Sequence, residues 1–209
     1  MAESSKYLRK TPTQDRSRRR VEAIVLAAAN LFAEQGFEAT TVEAIAEQAG
    51  TSVGSVYQFF GNKLDIFCSI SQRCNDRVRV AVQALVAASR TELALAALID
   101  QVVDGIFAVL AADVGFRAVW KNTQLFGVIA EDDLDFEREL VAVTEDVLRE
   151  RAAHLDSDRR ATAAQLLVQT VSAGLFLIFR PELEERVPAL IAELKTMLRA
   201  YAAEIEGQV

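Results

Sequence analysis

The chain has 209 residues, of which 51% are hydrophobic and 25% charged, with only nine Gly and three Pro. This balance excludes an intrinsically disordered chain and leaves ample material for a core, in one large domain or two small ones. The net charge of −7 is unevenly spread: residues 1–20 carry seven basic and two acidic side chains (+5), whereas residues 64–209 carry 15 basic and 23 acidic ones (−8). A basic end on an acidic body confines affinity for a polyanion to that end, although charge alone also fits a solubilising tail.

Apolar runs such as "VSAGLFLIF" (171–179) fall short of the ~20 residues that span a bilayer. The opening "MAESSKYLRKTPTQDRSRRR" holds no apolar stretch of the kind a secretory signal needs. The expectation is a soluble, cytoplasmic protein with no membrane partner. Cys68 and Cys74 lie six apart in a helical pattern, which turns them about 240° from one another. They read as two packed thiols rather than a bridge or a metal pair, with a redox sensor as the alternative.

Helical periodicity dominates, and no strand alternation or repeat interrupts it. The fold class is all-α, with about nine helices. From Arg18 to Gln35, Val21, Ile24, Val25, Ala28, Leu31 and Phe32 follow i, i+3, i+4, i+7 spacing, and Gly36 stops the helix. In "TTVEAIAEQAG", Thr40 and Glu43 have capping-box spacing, and Thr41 serves equally well as the cap. Val42, Ile45, Ala46 and Ala49 then make one apolar face, and Gly50 ends the helix. The next helix starts at Ser52, a natural N-cap, and "GN" at 61–62 breaks it. Further helices are expected from about Lys63 to Ser89, Glu92 to Ala111 and Gly115 to Ile129. Another starts at the acidic "EDD" (131–133) and reaches His154; the next runs from "DSD" (156–158) to near Arg180–Pro181. The last carries Leu190, Leu194, Met197, Leu198 and Tyr201, with Pro188 in its first turn.

Two short helices joined by "AGTS" form a helix-turn-helix pattern. On the second, Val53, Gly54, Tyr57 and Gln58 share a face, while Val56 and Phe60 point the other way, towards Ile45 and Ala49. The outer face suits a major groove. Gly54 permits close backbone approach, and Ser52, Ser55 and Tyr57 can donate to phosphates. Gln58 can pair with an adenine edge, Val53 can touch a thymine methyl, and Lys63 can add a phosphate contact.

Residues 20–67, with "AIVLAAANLFAEQGFEATTVEAIAEQAGTSVGSVYQFFGNKLDIF" at 23–67, resemble the DNA-binding domain of the TetR/AcrR family of bacterial transcriptional regulators. The resemblance rests on the spacing of Phe32, Gly36, Phe37, Thr40, Thr41, Ile45, Ala46, Gly50, Gly54, Tyr57, Phe60 and Lys63. It implies DNA contacts at Thr41, Ser52, Gly54, Ser55, Tyr57, Gln58 and Lys63, with Arg18 and Arg19 among the basic residues that add to them. Phe59 departs from the family, which often has Tyr or His there, and Leu64 stands where an acidic residue is common. The resemblance further implies a homodimer whose paired helices meet successive major grooves of a pseudo-palindromic operator in double-stranded DNA, about 34–36 Å apart.

The implied organisation is a basic, flexible arm (1–17), a helix-turn-helix domain (18–64) and a ligand-binding and dimerisation domain (65–209). The last two long helices are the implied dimer interface, and residues 163–179 are apolar on more than one face. A small-molecule ligand of unknown identity is implied, with Phe107, Phe116, Trp120, Phe126 and Phe176 as aromatic candidates for its cavity. Asp100 and Asp104 share a face with Ala97, Gln101 and Ala108 that reads as solvated. No cofactor or metal is expected. An enzyme is disfavoured because no Ser/His/Asp set, HExxH or phosphate-binding Gly-rich loop is present. A helical adaptor that uses the same exposed face to bind protein is the competing reading.

Overall fold

The computed structural model describes residues 6–89 and 93–207. Among these residues there are nine α-helices and no strand. They are α1 (Asp15–Gln35), α2 (Val42–Gln48), α3 (Val53–Phe59), α4 (Lys63–Ser89), α5 (Leu95–Ala112), α6 (Val114–Lys121), α7 (Phe126–Arg151), α8 (Ser157–Ile178) and α9 (Val187–Ile205). Short 3-10 turns, Thr123–Leu125 and Pro181–Arg186, precede α7 and α9.

The helix boundaries depart from the periodicity in three places. Helix α1 starts at Asp15 and so takes in residues assigned to the arm; the acidic side chain suits the positive end of the helix. The start expected at Glu92 lies outside the described residues, and α5 is helical from Leu95. The helix expected over 115–129 is broken at Asn122, so that α7 begins before the acidic cluster and carries it in its second turn. The remaining starts agree better. Asp156 caps α8 by accepting from the Arg159 N–H at 2.8 Å, and Pro188 occupies the first turn of α9.

The chain forms two compact units, residues 1–77 with 110–133 and residues 78–109 with 134–209. This division differs from the expected boundary at 64/65, which falls at the start of the continuous helix α4. In the first unit α1 lies along α6. Its core holds Val21, Ile24, Ala28 and Phe32 of α1, Ile45 of α2, Val56 and Phe59 of α3, and Ile66, Phe67 and Ile70 of α4. Phe32, Phe37 and Phe67 meet with ring centroids 5.3–6.0 Å apart, within the range where aromatic pairs add to simple burial. Both cysteines are buried free thiols. Burial pushes Cys68 up to about 11 and Cys74 up to about 12.

In the second unit α8 packs on α9, and α5 is tied to α9 by ion pairs. Asp100 meets Arg199 at 3.0 Å and Asp104 meets Lys195 at 2.5 Å. The face expected to be solvated is largely so, with Gln101, Asp104 and Ala108 exposed, and it also carries the two ion pairs to α9. Helices α5 and α8 are also long and apolar enough, by length and composition, to cross a membrane, which the shorter unbroken runs did not suggest. On α8, Leu166, Phe176 and Leu177 are 40–51% exposed, and on α9 Met197 is 55% exposed.

Candidate nucleic-acid interface

Helix α2 is capped by Thr41, whose hydroxyl accepts from the Ala44 N–H at 3.1 Å. The preceding Thr40 has a different task. It is buried and donates to the Gly36 carbonyl at 2.8 Å, bracing the turn between α1 and α2. After α2 the chain reverses through Gly50, at φ +62°, where an added Cβ would meet nothing within 4 Å. Backbone conformation rather than space selects glycine there. The Thr51 N–H returns to the Ala46 carbonyl at 2.9 Å, which closes the turn onto α2.

Ser52 then caps α3, accepting from the Ser55 N–H at 3.2 Å, and its hydroxyl lies 3.0 Å from that of Ser55. Only one of the two hydroxyl protons is used within this pair, so the other is left to donate outward. Val56, Phe59 and Phe60 are all in the core, with Phe60 just past the helix end. Phe59, where a phosphate-bonding side chain was a consideration, is thus a packing residue. Val53 is half-buried against the same core, which restricts it to an edge contact. Ser52, Gly54, Tyr57 and Gln58 form the exposed side, with Ser55 at its margin and Thr41 exposed at the start of α2.

Gly54 differs from Gly50. Its backbone is ordinary helix, and an added Cβ would stand 4.0 Å from Ser52 Oγ, with no other neighbour. Nothing among the described residues calls for glycine at this position, although glycine weakens a helix.

Lys63 is placed differently from the expectation. It opens α4, but its ammonium turns inward to the carbonyls of Phe37 (2.6 Å) and Thr40 (2.7 Å) and lies 4.2 Å from the Phe37 ring centroid. One of its three donors remains for anything outside. Arg18 and Arg19 are exposed on α1, and Arg18 is paired with Asp15 at 3.1 Å.

The residues that hold this surface in place were missed by sequence reasoning. Asn122, 2% exposed, accepts from the Phe37 N–H at 2.7 Å and donates to the carbonyls of Ala118 (2.6 Å) and Phe32 (3.3 Å). Lys121 donates to the carbonyls of Ala33, at 3.0 Å, and Glu34. The end of α6 thereby caps the end of α1, whose last carbonyls lack partners in their own helix. The one sequence signal was a short polar pair, "NT", inside an otherwise helical stretch. The described part of the arm is held to the same core. Tyr7 and Leu8 are half-buried on the core, and the Arg9 N–H donates to the Phe59 carbonyl at 2.8 Å.

The aromatic candidates for a ligand cavity divide between the units. Phe116 and Trp120 (5.8 Å between centroids) and Trp120 and Phe126 (6.2 Å) form a run in the first unit. Phe107 stacks on Phe179 at 5.4 Å in the second. Phe176 is 48% exposed on α8, among the apolar residues that face out of this chain.

A capped two-helix unit with a polar outer face, packed into one core with α1 and the start of α4, defines the class of helix-turn-helix proteins. Residues 24–70 match the model of bacterial regulatory proteins of the tetR family, and residues 94–201 match that of the tetracyclin repressor-like C-terminal domain. The chain belongs to the TetR family of bacterial regulatory proteins. It is 45% identical over 65 residues to the transcriptional regulator HbdR of Aromatoleum, covering 31% of this chain and 28% of that protein. It is 48% identical over 52 residues to the transcriptional repressor BepR of Brucella suis, covering 25% of each chain. These matches span about a quarter of the relatives' own length. Over 100 residues, 47% of this chain and 44% of that one, it is 29% identical to the transcriptional activator FasR of Mycolicibacterium smegmatis. The fold is shared with the fatty acid degradation regulator FadR from Bacillus halodurans, at TM-score 0.67 and 21% identity over 91% of this chain and 96% of that one. It is also shared with a TetR-family regulator from Streptomyces coelicolor, at TM-score 0.62 and 23% identity over 89% and 99%.

Proposed function

We propose that this chain is a cytoplasmic, homodimeric transcriptional regulator that reads double-stranded DNA with α3 and acts as a repressor released by a small-molecule ligand. The observation that carries the DNA reading is Gly54. Its missing side chain has no use inside the protein, yet it lies between the cap Ser52 and the exposed Tyr57 and Gln58. A bare backbone there suits close approach to a surface outside, and the neighbouring groups are those that bond phosphates and base edges. Thr41, Ser52, Ser55 and Tyr57 position the helix on phosphates; Gln58 reads.

The dimer is supported by the exposed apolar side chains on α8 and α9, which cluster on the two helices that the family resemblance assigns to the interface. The ligand reading draws on the matched tetracyclin repressor-like C-terminal domain and on the aromatic contacts Phe107–Phe179 and Phe116–Trp120–Phe126. Repression is proposed over activation because the BepR relative is named a repressor, although FasR is named an activator.

Selection of duplexes from a random-sequence library by the purified chain tests the reading. It predicts enrichment of a pseudo-palindrome whose half-site centres lie about one helical turn, 34–36 Å, apart. Absence of any enriched sequence would remove sequence-specific DNA binding.

A further inference from the structure

Residues 6–14 run ahead of α1 as a strap rather than a loose arm. At its middle the Arg9 N–H bonds the Phe59 carbonyl, one of the acceptors at the end of α3. At its beginning both oxygens of a single carboxylate are engaged: Tyr7 donates to Asp132 Oδ2 at 2.7 Å, and Lys6 pairs with Oδ1. The Asp132 side chain is 12% exposed and that of Lys6 55%, so the Tyr7 bond is the shielded half of the clasp and the Lys6 pair its open half. Burial and the bond to Asp132 hold the Tyr7 phenol well above its ordinary value, which keeps it a donor.

The clasp leaves Arg9 and Lys10 exposed at the end of the reading helix. Arg9 Cδ lies 3.7 Å from where a Cβ on Gly61, in the α3–α4 turn, would stand. We propose that Asp132 is a positioning residue for DNA binding: by clasping Lys6 and Tyr7 it fixes the strap, so that Arg9 and Lys10 meet phosphates of the duplex that α3 reads. This rests on the DNA reading above and deepens it. Two cations on a free arm must be ordered when DNA binds, and the clasp orders them beforehand.

The sign of the effect separates this role from general electrostatics. Removing an acidic charge from a DNA-binding protein should by itself strengthen binding; loosening the strap should weaken it. The experiment titrates salt against a 30-bp duplex carrying the sequence selected by the wild-type chain. It compares Asp132→Ala, Arg9→Ala with Lys10→Ala, and the combination of all three. Arg9→Ala with Lys10→Ala should flatten the slope of log K on log salt by about 1.8, two phosphate contacts at roughly 0.9 each. Asp132→Ala should weaken binding by about tenfold, the order of cost expected for leaving two long side chains to be immobilised on binding. The triple variant should bind no more weakly than Arg9→Ala with Lys10→Ala. Tyr7→Phe combined with Lys6→Ala loosens the clasp from the strap side without altering α7, and should reproduce Asp132→Ala. Binding by Asp132→Ala at or above the wild-type level, or a loss that adds in full to that of the Arg9 and Lys10 changes, would overturn the proposal. A wild-type chain that selects no duplex would instead overturn the DNA reading beneath it.

Discussion

Asn122 Oδ1 accepts the backbone N–H of Phe37 at 2.7 Å, across 85 residues of sequence, inside a buried site. That bond joins the end of α6 to the turn that leads into the helix-turn-helix. Replacing Asn122 by Ala strands a buried donor and frees the carbonyls of Phe32 and Ala118. We expect a loss of about 2 kcal/mol, measured by urea unfolding. A loss under about 0.5 kcal/mol would mean that water replaces the amide at no cost.

The two thiols should be inert in the native protein. With Cys68 raised to about 11 and Cys74 to about 12, the thiolate at pH 7.5 falls from roughly a tenth of an ordinary cysteine to below about one in a thousand. Labelling with a thiol-specific disulfide reagent should be slow in buffer and fast in denaturant. Rapid native labelling would revive the redox-sensor alternative.

Asp133 accepts from Asn75 at 3.0 Å, and burial raises its carboxyl above the usual range against the effect of that bond. Its ionised form is therefore disfavoured in the folded state. The protonated state carries no such penalty at low pH, and the penalty appears as pH rises from the unfolded pKa of about 3.9 through the raised folded one. Asp133→Asn keeps an acceptor for Asn75 and removes the ionisation. Its Tm should exceed that of wild type at pH 7, with the gain vanishing near pH 3. A constant difference across that range would point to packing instead.

The exposed apolar side chains on α8 and α9 carry the proposed dimer. Leu166→Glu with Phe176→Glu places two charges where a partner would bury them. Sedimentation at micromolar concentration should show a dimer for wild type and a monomer for the variant, with helical content retained. An unchanged dimer would place the interface elsewhere.

Much of the helix-turn-helix was legible because its signals are local. Ser52 caps the helix that its own neighbours form, and the Val42, Ile45 and Ala46 face follows from spacing alone. The choice between Thr40 and Thr41 was not legible, because it depends on Gln35 and the Gly36 carbonyl as partners for Thr40. The break at Asn122 escaped for a similar reason: helix formers stand on both sides, and the amide leaves its helix to reach Phe32 and Phe37. That Lys63 also braces the turn before α2 was not legible, because its two carbonyl partners lie 23 and 26 residues away. The strap was hidden further still, since Asp132 lies more than a hundred residues from Lys6 and Tyr7.

If the outer face of α3 meets DNA through the bare backbone at Gly54, then Gly54→Ala should separate stability from binding. The new methyl group has room, and alanine favours helix by up to about 1 kcal/mol, so the folded chain should be as stable as wild type or more so. Affinity for the duplex selected by wild type should nonetheless fall at least about tenfold, the cost of holding a backbone one methyl away from its contact. The measurement is paired: Tm and Kd on the same preparation. A raised or unchanged Tm with weakened binding is the predicted result; a raised Tm with unchanged binding would contradict the account.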